Sequence, residues 1–186
     1  RNQQVPHNLY VLCHDPYGQN QSADSMSLGS AYVIKRVNNI STPDDIIVAS
    51  YVGRPHTQDA YNKNLFMLAD YYNCKIGFEN DRGEVIAYAK RHRKMHRLQE
   101  EFEMLDKREL RSKTVKRQYG MHMTEARKRQ GEIYIRDWLN SVRSKNEEGE
   151  QVLNLHKIYD LALLQELIKF NHKGNFDRVM SLMIGM

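Results

Sequence analysis

The chain has 186 residues, 40% of them hydrophobic, with a mean hydropathy of −0.73. That suits one domain with a sizeable core, and no apolar run approaches the roughly 20 residues of a membrane span. The net charge of +5 is unevenly spread: residues 90–129 hold fourteen Lys/Arg against six Asp/Glu, a balance of +8, while the rest holds fourteen against seventeen, a balance of −3. A segment this basic attracts polyanions, unless it is only a solvated helical face.

Residues 1–8 are polar and read as a linker remnant, with one domain over 9–186. The start at Arg1, without Met or a signal-peptide pattern, leads us to expect a domain cut from a longer protein. Residues 9–15, Leu-Tyr-Val-Leu-Cys-His-Asp, form an apolar strand that ends in a carboxylate and breaks at Pro16 and Gly18. Residues 27–37 and 45–52 read as the second and third strands of an antiparallel meander. Thr57 opens a helix over 57–72, with Tyr61, Leu65, Leu68 and Tyr72 on one stripe. Residues 75–79 return as a strand, and a strand–helix–strand crossover of this length predicts parallel pairing.

A basic helix is expected over 83–96. His92 and His96 stand at a metal-binding i, i+4 spacing, but no acid completes the set and five basic residues surround it, so a polyanion-binding face suits them better. Residues 98–128 mix charges without a clear period, which leaves a further strand, a hairpin or a mobile segment open. Further helices are expected over 131–143, with Ile135, Trp138, Leu139 and Val142 inward; over 155–170, with Ile158, Leu161, Leu164 and Ile168 inward; and over 176–186, with Phe176, Val179, Met180 and Met183 inward. Trp138 reads as a core anchor. Cys13 and Cys74 sit in predicted strands as buried reduced thiols, which points to a cytosolic compartment.

Three carboxylates stand at element ends, where an open α/β sheet places its chemistry: Asp15, Glu79 and Asp177. Each has a bland reading. Asp15 could shape a turn, Glu79 could pair with Arg82 or Lys75, and Asp177 could serve the helix dipole, worth roughly 0.3–1 kcal/mol. Taken together, a β-β-β-α-β-α order with these acids is the layout of a ribonuclease H-like α/β fold: a mixed sheet flanked by helices. Hard Mg²⁺ or Mn²⁺ ions take oxygen ligands, and two of them can cleave a phosphodiester.

The sequence resembles the C-terminal nuclease domain of tailed-bacteriophage terminase large subunits. The resemblance spans nearly the whole chain. It rests on Asp15-Pro-Tyr-Gly with Asp24, on Ile76-Gly-Phe-Glu79 followed by Asn80 and Gly83, on Gly120-Met-His-Met-Thr124 followed by Lys128, and on Asn175-Phe-Asp-Arg-Val-Met-Ser-Leu182. It implies that Asp15, Glu79 and Asp177 are catalytic and bind two Mg²⁺ or Mn²⁺ ions, with Asp24 auxiliary. The family often has two adjacent acids at its last motif, whereas Phe176 precedes Asp177 here.

The implied activity is endonucleolytic cutting of concatemeric viral DNA in the host cytoplasm. The implied partners are double-stranded DNA, a portal protein, a small terminase subunit and an N-terminal ATPase domain. No Gly-x-x-x-x-Gly-Lys-Ser/Thr loop occurs, so ATP hydrolysis is not expected of this chain. In the basic segment, Arg91, Arg93, Lys94, Arg97, Lys113, Lys116, Arg117, Arg127 and Lys128 are the candidate DNA contacts. The alternatives are a Holliday-junction resolvase, a ribonuclease H, or a non-enzymatic DNA-binding module of the same fold.

Overall fold

A computed structural model of the chain describes residues 5–17, 27–38, 43–80, 83–101, 119–171 and 174–186. Strands β1 (Tyr10–Asp15), β2 (Gly29–Lys35) and β3 (Ile46–Gly53) form the expected antiparallel meander. Tyr10 lies opposite Lys35 and Asp15 opposite Ser30. Helix α1 (Gln58–Tyr71) crosses over to β4 (Lys75–Phe78), which pairs parallel with β1, His14 opposite Phe78. The sheet order is β3-β2-β1-β4. Thr57 starts α1 where the sequence places it, its hydroxyl accepting from the Ala60 N–H at 3.1 Å.

Strand side chains alternate between faces, so a sheet with helices on both sides needs apolar residues at both parities. Leu12, Ala31, Val33, Ile76 and Phe78 pack with Tyr61, Leu65 and Phe66 of α1 and with Val85 and Tyr88 of α2 (Glu84–Arg91). Val11, Cys13, Tyr32 and Ile34 cluster instead with Trp138, Leu163, Val179, Leu182 and Ile184. Those residues come from α3 (Glu125–Leu139), α4 (Leu161–Lys169) and α5 (Asp177–Gly185). The fold is therefore α/β, a mixed sheet flanked by helices. Burying Val179, Leu182, Met183 and Ile184 stabilises the docking of α5 by roughly 1.5–3 kcal/mol each.

Several expected elements differ. The helix over 83–96 stops at Arg91, because Arg93 takes φ 55° and a 3-10 turn follows at Met95–Arg97. His92 and His96 thus share no regular helix, and His92 stacks on Tyr88 with ring centroids 4.2 Å apart. Helix α3 begins six residues before the expected start, capped by Thr124, and ends at Leu139. Val142 lies instead in a hairpin of β5 (Val142–Lys145) and β6 (Gln151–Leu153) and is exposed. The helix expected over 155–170 is a 3-10 turn at Asn154–Lys157 and then α4. Asp160 caps α4 and resets its phase, so Leu161 and Ile168 are 72% and 85% exposed while Leu163 is buried. Trp138 is the expected core anchor, its indole N–H donating to the Asp45 carbonyl at 3.2 Å. Cys13 and Cys74 are buried and free. Among the described residues, no helix is long and apolar enough to cross a membrane.

The stretch without a readable period extends the sheet past β4 by single bridges. Leu98 pairs parallel with Ile76, Glu79 parallel with Met121, and Glu100 antiparallel with Tyr119. Gly120 makes this possible at φ 76°, where an added Cβ would lie 2.8 Å from the Phe78 carbonyl oxygen. Gly120→Ala is expected to lower stability by on the order of 2 kcal/mol or more, from the left-handed backbone and the backbone clash together. Urea titration would check this. An unchanged midpoint would mean that the 119–121 strand edge adds nothing to the fold.

Candidate functional site

Strand parity decides which face each acid occupies. Val11 and Cys13 face α5, so Asp15, two residues further, faces it too. Ile76 and Phe78 face α1, which turns Gly77 and Glu79 toward α5. A Cβ on Gly77 would point at Ile184 Cγ2, 3.6 Å away. The parallel register sets Cys13 opposite Gly77, and the Glu79 N–H donates to the His14 carbonyl at 3.3 Å. Asp15 and Glu79 therefore end adjacent strands at one height and on one face. Asp15 is buried and Glu79 half-buried.

Asp177 opens α5 at the same end. Ser181, one turn later, donates its hydroxyl to the Cys13 carbonyl at 3.0 Å. The Asp177 carboxylate reaches the residues that lead into β2. Its Oδ2 accepts from the Leu28 N–H at 2.7 Å and from Asn175 Nδ2 at 3.2 Å, and its Oδ1 accepts from the Ser27 hydroxyl at 3.3 Å. Burial raises its pKa, the Leu28 and Ser27 hydrogen bonds pull it down, and the Glu166 charge raises it; the net direction is up.

Behind the acids lies an aromatic wall. Tyr61 stacks on His14 and Tyr51, at 5.3 and 4.5 Å between centroids, and meets Tyr17 edge-on at 5.5 Å. Burial raises the Tyr61 hydroxyl pKa well above its usual value, and the charges of Tyr51, Asp15, Tyr17 and Asp177 add to it. Tyr61 thus lies within electrostatic reach of both acids. Gly29 leaves room for the ring: a Cβ there would sit 2.5 Å from Tyr61 Cε2. His14 is fully buried, and burial lowers its pKa to about 4 although its contact with the Ser30 carbonyl at 2.9 Å opposes the shift. The neutral ring donates from Nδ1 to that oxygen.

The donor chemistry at this end is hard oxygen: Asp15, Glu79 and Asp177, with the Ser30 hydroxyl directly across from Asp15. Ser30 Oγ is buried and has no hydrogen-bond partner among the described residues, a state that costs free energy unless something polar comes to it. These groups suit Mg²⁺ or Mn²⁺ better than a soft metal. Among the described residues, however, no three His, Cys, Asp or Glu side chains stand close enough together to hold an ion. Asp24 lies outside the described residues.

The expected DNA contacts divide. Arg91 pairs with Asp59, while Lys94 and Arg97 both pair with Asp70, Arg97 at 2.8 Å. Burial would raise the Asp70 pKa, but the hydrogen bonds from Lys94 and Arg97 bring it below the usual value. These three cations are tied to α1 and form part of its docking with the α2 region. Arg93 lies exposed on the left-handed turn after α2. Arg127 donates to Glu101 at 3.2 Å and to the His122 carbonyl at 2.8 Å, and Lys128 pairs with Glu125 at 3.6 Å. Lys113, Lys116 and Arg117 lie outside the described residues.

Two features of the site gave no signal in the sequence. Arg54, just after β3, brings a cation to the carboxylate end. It donates to the Ser27 carbonyl at 3.5 Å and its guanidinium lies 5.8 Å from the Tyr17 ring centre. It stands outside the basic segment, and only the β2–β3 pairing of Gly29 with Gly53 reveals its place. Glu166 meets the start of α5 from a helix eleven residues earlier, a contact no local spacing encodes. No protein-family model matches the chain, and no curated protein matches it in sequence.

Proposed function

We propose that this chain is a ribonuclease H-like, divalent-metal-dependent DNA endonuclease, the nuclease domain of a phage terminase large subunit. One observation carries the reading: strand register and parity bring Asp15 and Glu79 to one end and one face of the sheet, and the Leu28 N–H bond holds Asp177 of α5 at the same end. In this reading Asp15, Glu79 and Asp177, with Asp24, hold two Mg²⁺ or Mn²⁺ ions. Bound there, the ions would supply Lewis acidity toward a phosphodiester. The residues of the chain do the rest. The β1–β4 register fixes the spacing of Asp15 and Glu79, α5 carries Asp177 to the same end of the sheet, and the Tyr17–Tyr61 wall keeps water off their inner side. Arg54 meets a phosphate of double-stranded DNA, as do the cations of the basic segment outside the α1 ion pairs. By the resemblance, the domain would cut concatemeric viral DNA in the host cytoplasm, alongside an ATPase domain, a portal protein and a small subunit.

The spread of the acid side chains favours a second reading, a DNA-binding module that has the fold but no metal. Incubating plasmid with the protein and Mn²⁺, Mg²⁺ or EDTA separates the two. The nuclease reading expects nicked and linear product with Mn²⁺ or Mg²⁺ and intact plasmid in EDTA. Intact plasmid in every lane, with DNA still bound, would favour the module. A four-way junction and an RNA–DNA hybrid as substrates test the resolvase and ribonuclease H alternatives.

DNA affinity should fall with salt at a log–log slope near −0.9 per neutralised phosphate. Arg91, Lys94 and Arg97 already face carboxylates, so replacing them is expected to lower the melting temperature and leave that slope nearly unchanged. Replacing Arg93, exposed on the turn after α2, should reduce it by about one phosphate. Fluorescence anisotropy across a salt series, with a parallel thermal melt, measures both. A flattened slope in the triple variant would show that its ion pairs open to bind DNA.

A further inference from the structure

We propose that Glu166 is the positioning residue for Asp177, an inference that rests on the nuclease reading for its consequence but not for its geometry. The first N–H groups of a helix have no partner within it and need a cap. Phe176, at the cap position of α5, has no side-chain acceptor to offer. Asp177, the first helical residue, turns its carboxylate away from its own helix toward Leu28, Ser27 and Asn175. Glu166 supplies the missing cap from α4. Its Oε2 accepts from the Arg178 N–H at 3.0 Å and, more weakly, from the Val179 N–H at 3.4 Å, and its Oε1 accepts from Arg178 Nη1 at 2.8 Å. A carboxylate on the first turn also suits the helix dipole.

Helix α4 is itself tied to the sheet. Asp160 caps it, with one oxygen accepting from the Ala162 and Leu163 N–H groups at 3.0 and 3.1 Å. Its other oxygen accepts the Tyr32 hydroxyl at 2.6 Å. Tyr32 lies on β2, four residues after Leu28. The start of α5 is therefore fixed against β2 twice, by Asp177 on Leu28 directly and by Glu166 through α4, Asp160 and Tyr32. Glu166 touches none of the candidate reacting atoms. It sets where Asp177 stands, as the outer partners of metal ligands generally do.

The test reads both geometry and metal. In Glu166→Ala, the Leu28 amide should exchange with solvent at least about tenfold faster, because the residue it donates to is no longer held. The Mn²⁺ concentration for half-maximal plasmid cleavage should rise by roughly 10–100-fold at a temperature where the protein remains folded. Glu166→Gln keeps one acceptor oxygen and should fall between the two on both measures, which also guards against a failure of the Ala variant to fold. Merely structural support by Glu166 would lower the melting temperature while Leu28 exchange and Mn²⁺ half-saturation stayed at their parental values, and that result would overturn the proposal. If the parent protein cuts no DNA, the nuclease reading fails, and the Leu28 exchange rate still decides whether Glu166 positions Asp177.

Discussion

On the nuclease reading, Asp15→Asn and Glu79→Gln are each expected to slow metal-dependent plasmid cleavage by on the order of 10³-fold or more, equivalent to roughly 4 kcal/mol of barrier. Each change keeps the shape of the side chain and removes its charge. The fold should hold, because the strands that carry these residues are anchored by Leu12, Cys13, Ile76 and Phe78, all buried. On the nuclease reading, removing one of the carboxylates at this end of the sheet relieves repulsion between Asp15 and its neighbour Glu79, so the metal-free melting temperature should not fall. Glu147→Gln, in the exposed hairpin turn, is the control and should cut like the parent. Cleavage rates and melts in EDTA measured together separate the possibilities. A large rate loss with the fold intact places Asp15 and Glu79 at the chemistry. Cleavage retained in both variants would remove them from it, whatever their position in the sheet.

Those two acids could be placed from sequence because their position follows from local pattern. A short strand-like run that ends in a carboxylate and a turn signal, residues 9–14 before Asp15 and 75–78 before Glu79, defines where the strand stops, and period-two alternation then fixes the face. The crossover over 57–79 sets the parallel pairing of β4 with β1 in the same way. Asp177 was legible as a first-turn acid of an apolar helix, but not what holds it there, since Glu166, Leu28 and Ser27 come from separate parts of the chain. Helix phase was the weaker signal. For α4, the run Leu161, Leu163, Leu164, Leu167, Ile168 fits more than one stripe, and only the Asp160 cap with its bond to Tyr32 selects the face that carries Leu163. Val142 looked like the end of a helical stripe because a single apolar residue after Leu139 cannot tell a last turn from a first strand residue. The sequence leaves the edge of the sheet beyond β4 open, as a strand, a hairpin or neither, for a different reason. It is made of isolated bridges at Leu98, Glu100 and Met121, too short to leave a period. The basic segment shows the limit of composition: its charge count holds, yet Arg91, Lys94 and Arg97 point to acids on α1, which are distant in sequence.

Acidification from pH 6.5 to about 4 is expected to destabilise the metal-free protein by about 3 kcal/mol through His14 alone. His14 is fully buried between β2 and Tyr61, and burial holds its pKa at about 4 against 6.5 for an ordinary histidine. In that window the unfolded chain binds a proton that the folded one refuses, so stability rises with pH and is lost as pH falls. Asp177 acts with the opposite sign. Its pKa is raised in the fold, so its ionisation opposes folding, and protonating it on the way down returns some stability. The two can be told apart by substitution. His14→Asn keeps a donor near the Ser30 carbonyl but cannot take the proton. It should be less stable than the parent at pH 7, where the ring fills its space against Tyr61, and should lose much of the acid sensitivity between pH 6.5 and 4. Asp177→Asn should lose the opposing term and make the acid response steeper. Urea titrations in EDTA at half-unit pH steps give both slopes. An acid response that survives unchanged in His14→Asn would mean that other groups carry it, and that the strand leading into Asp15 opens to water more readily than its packing against Tyr61 implies.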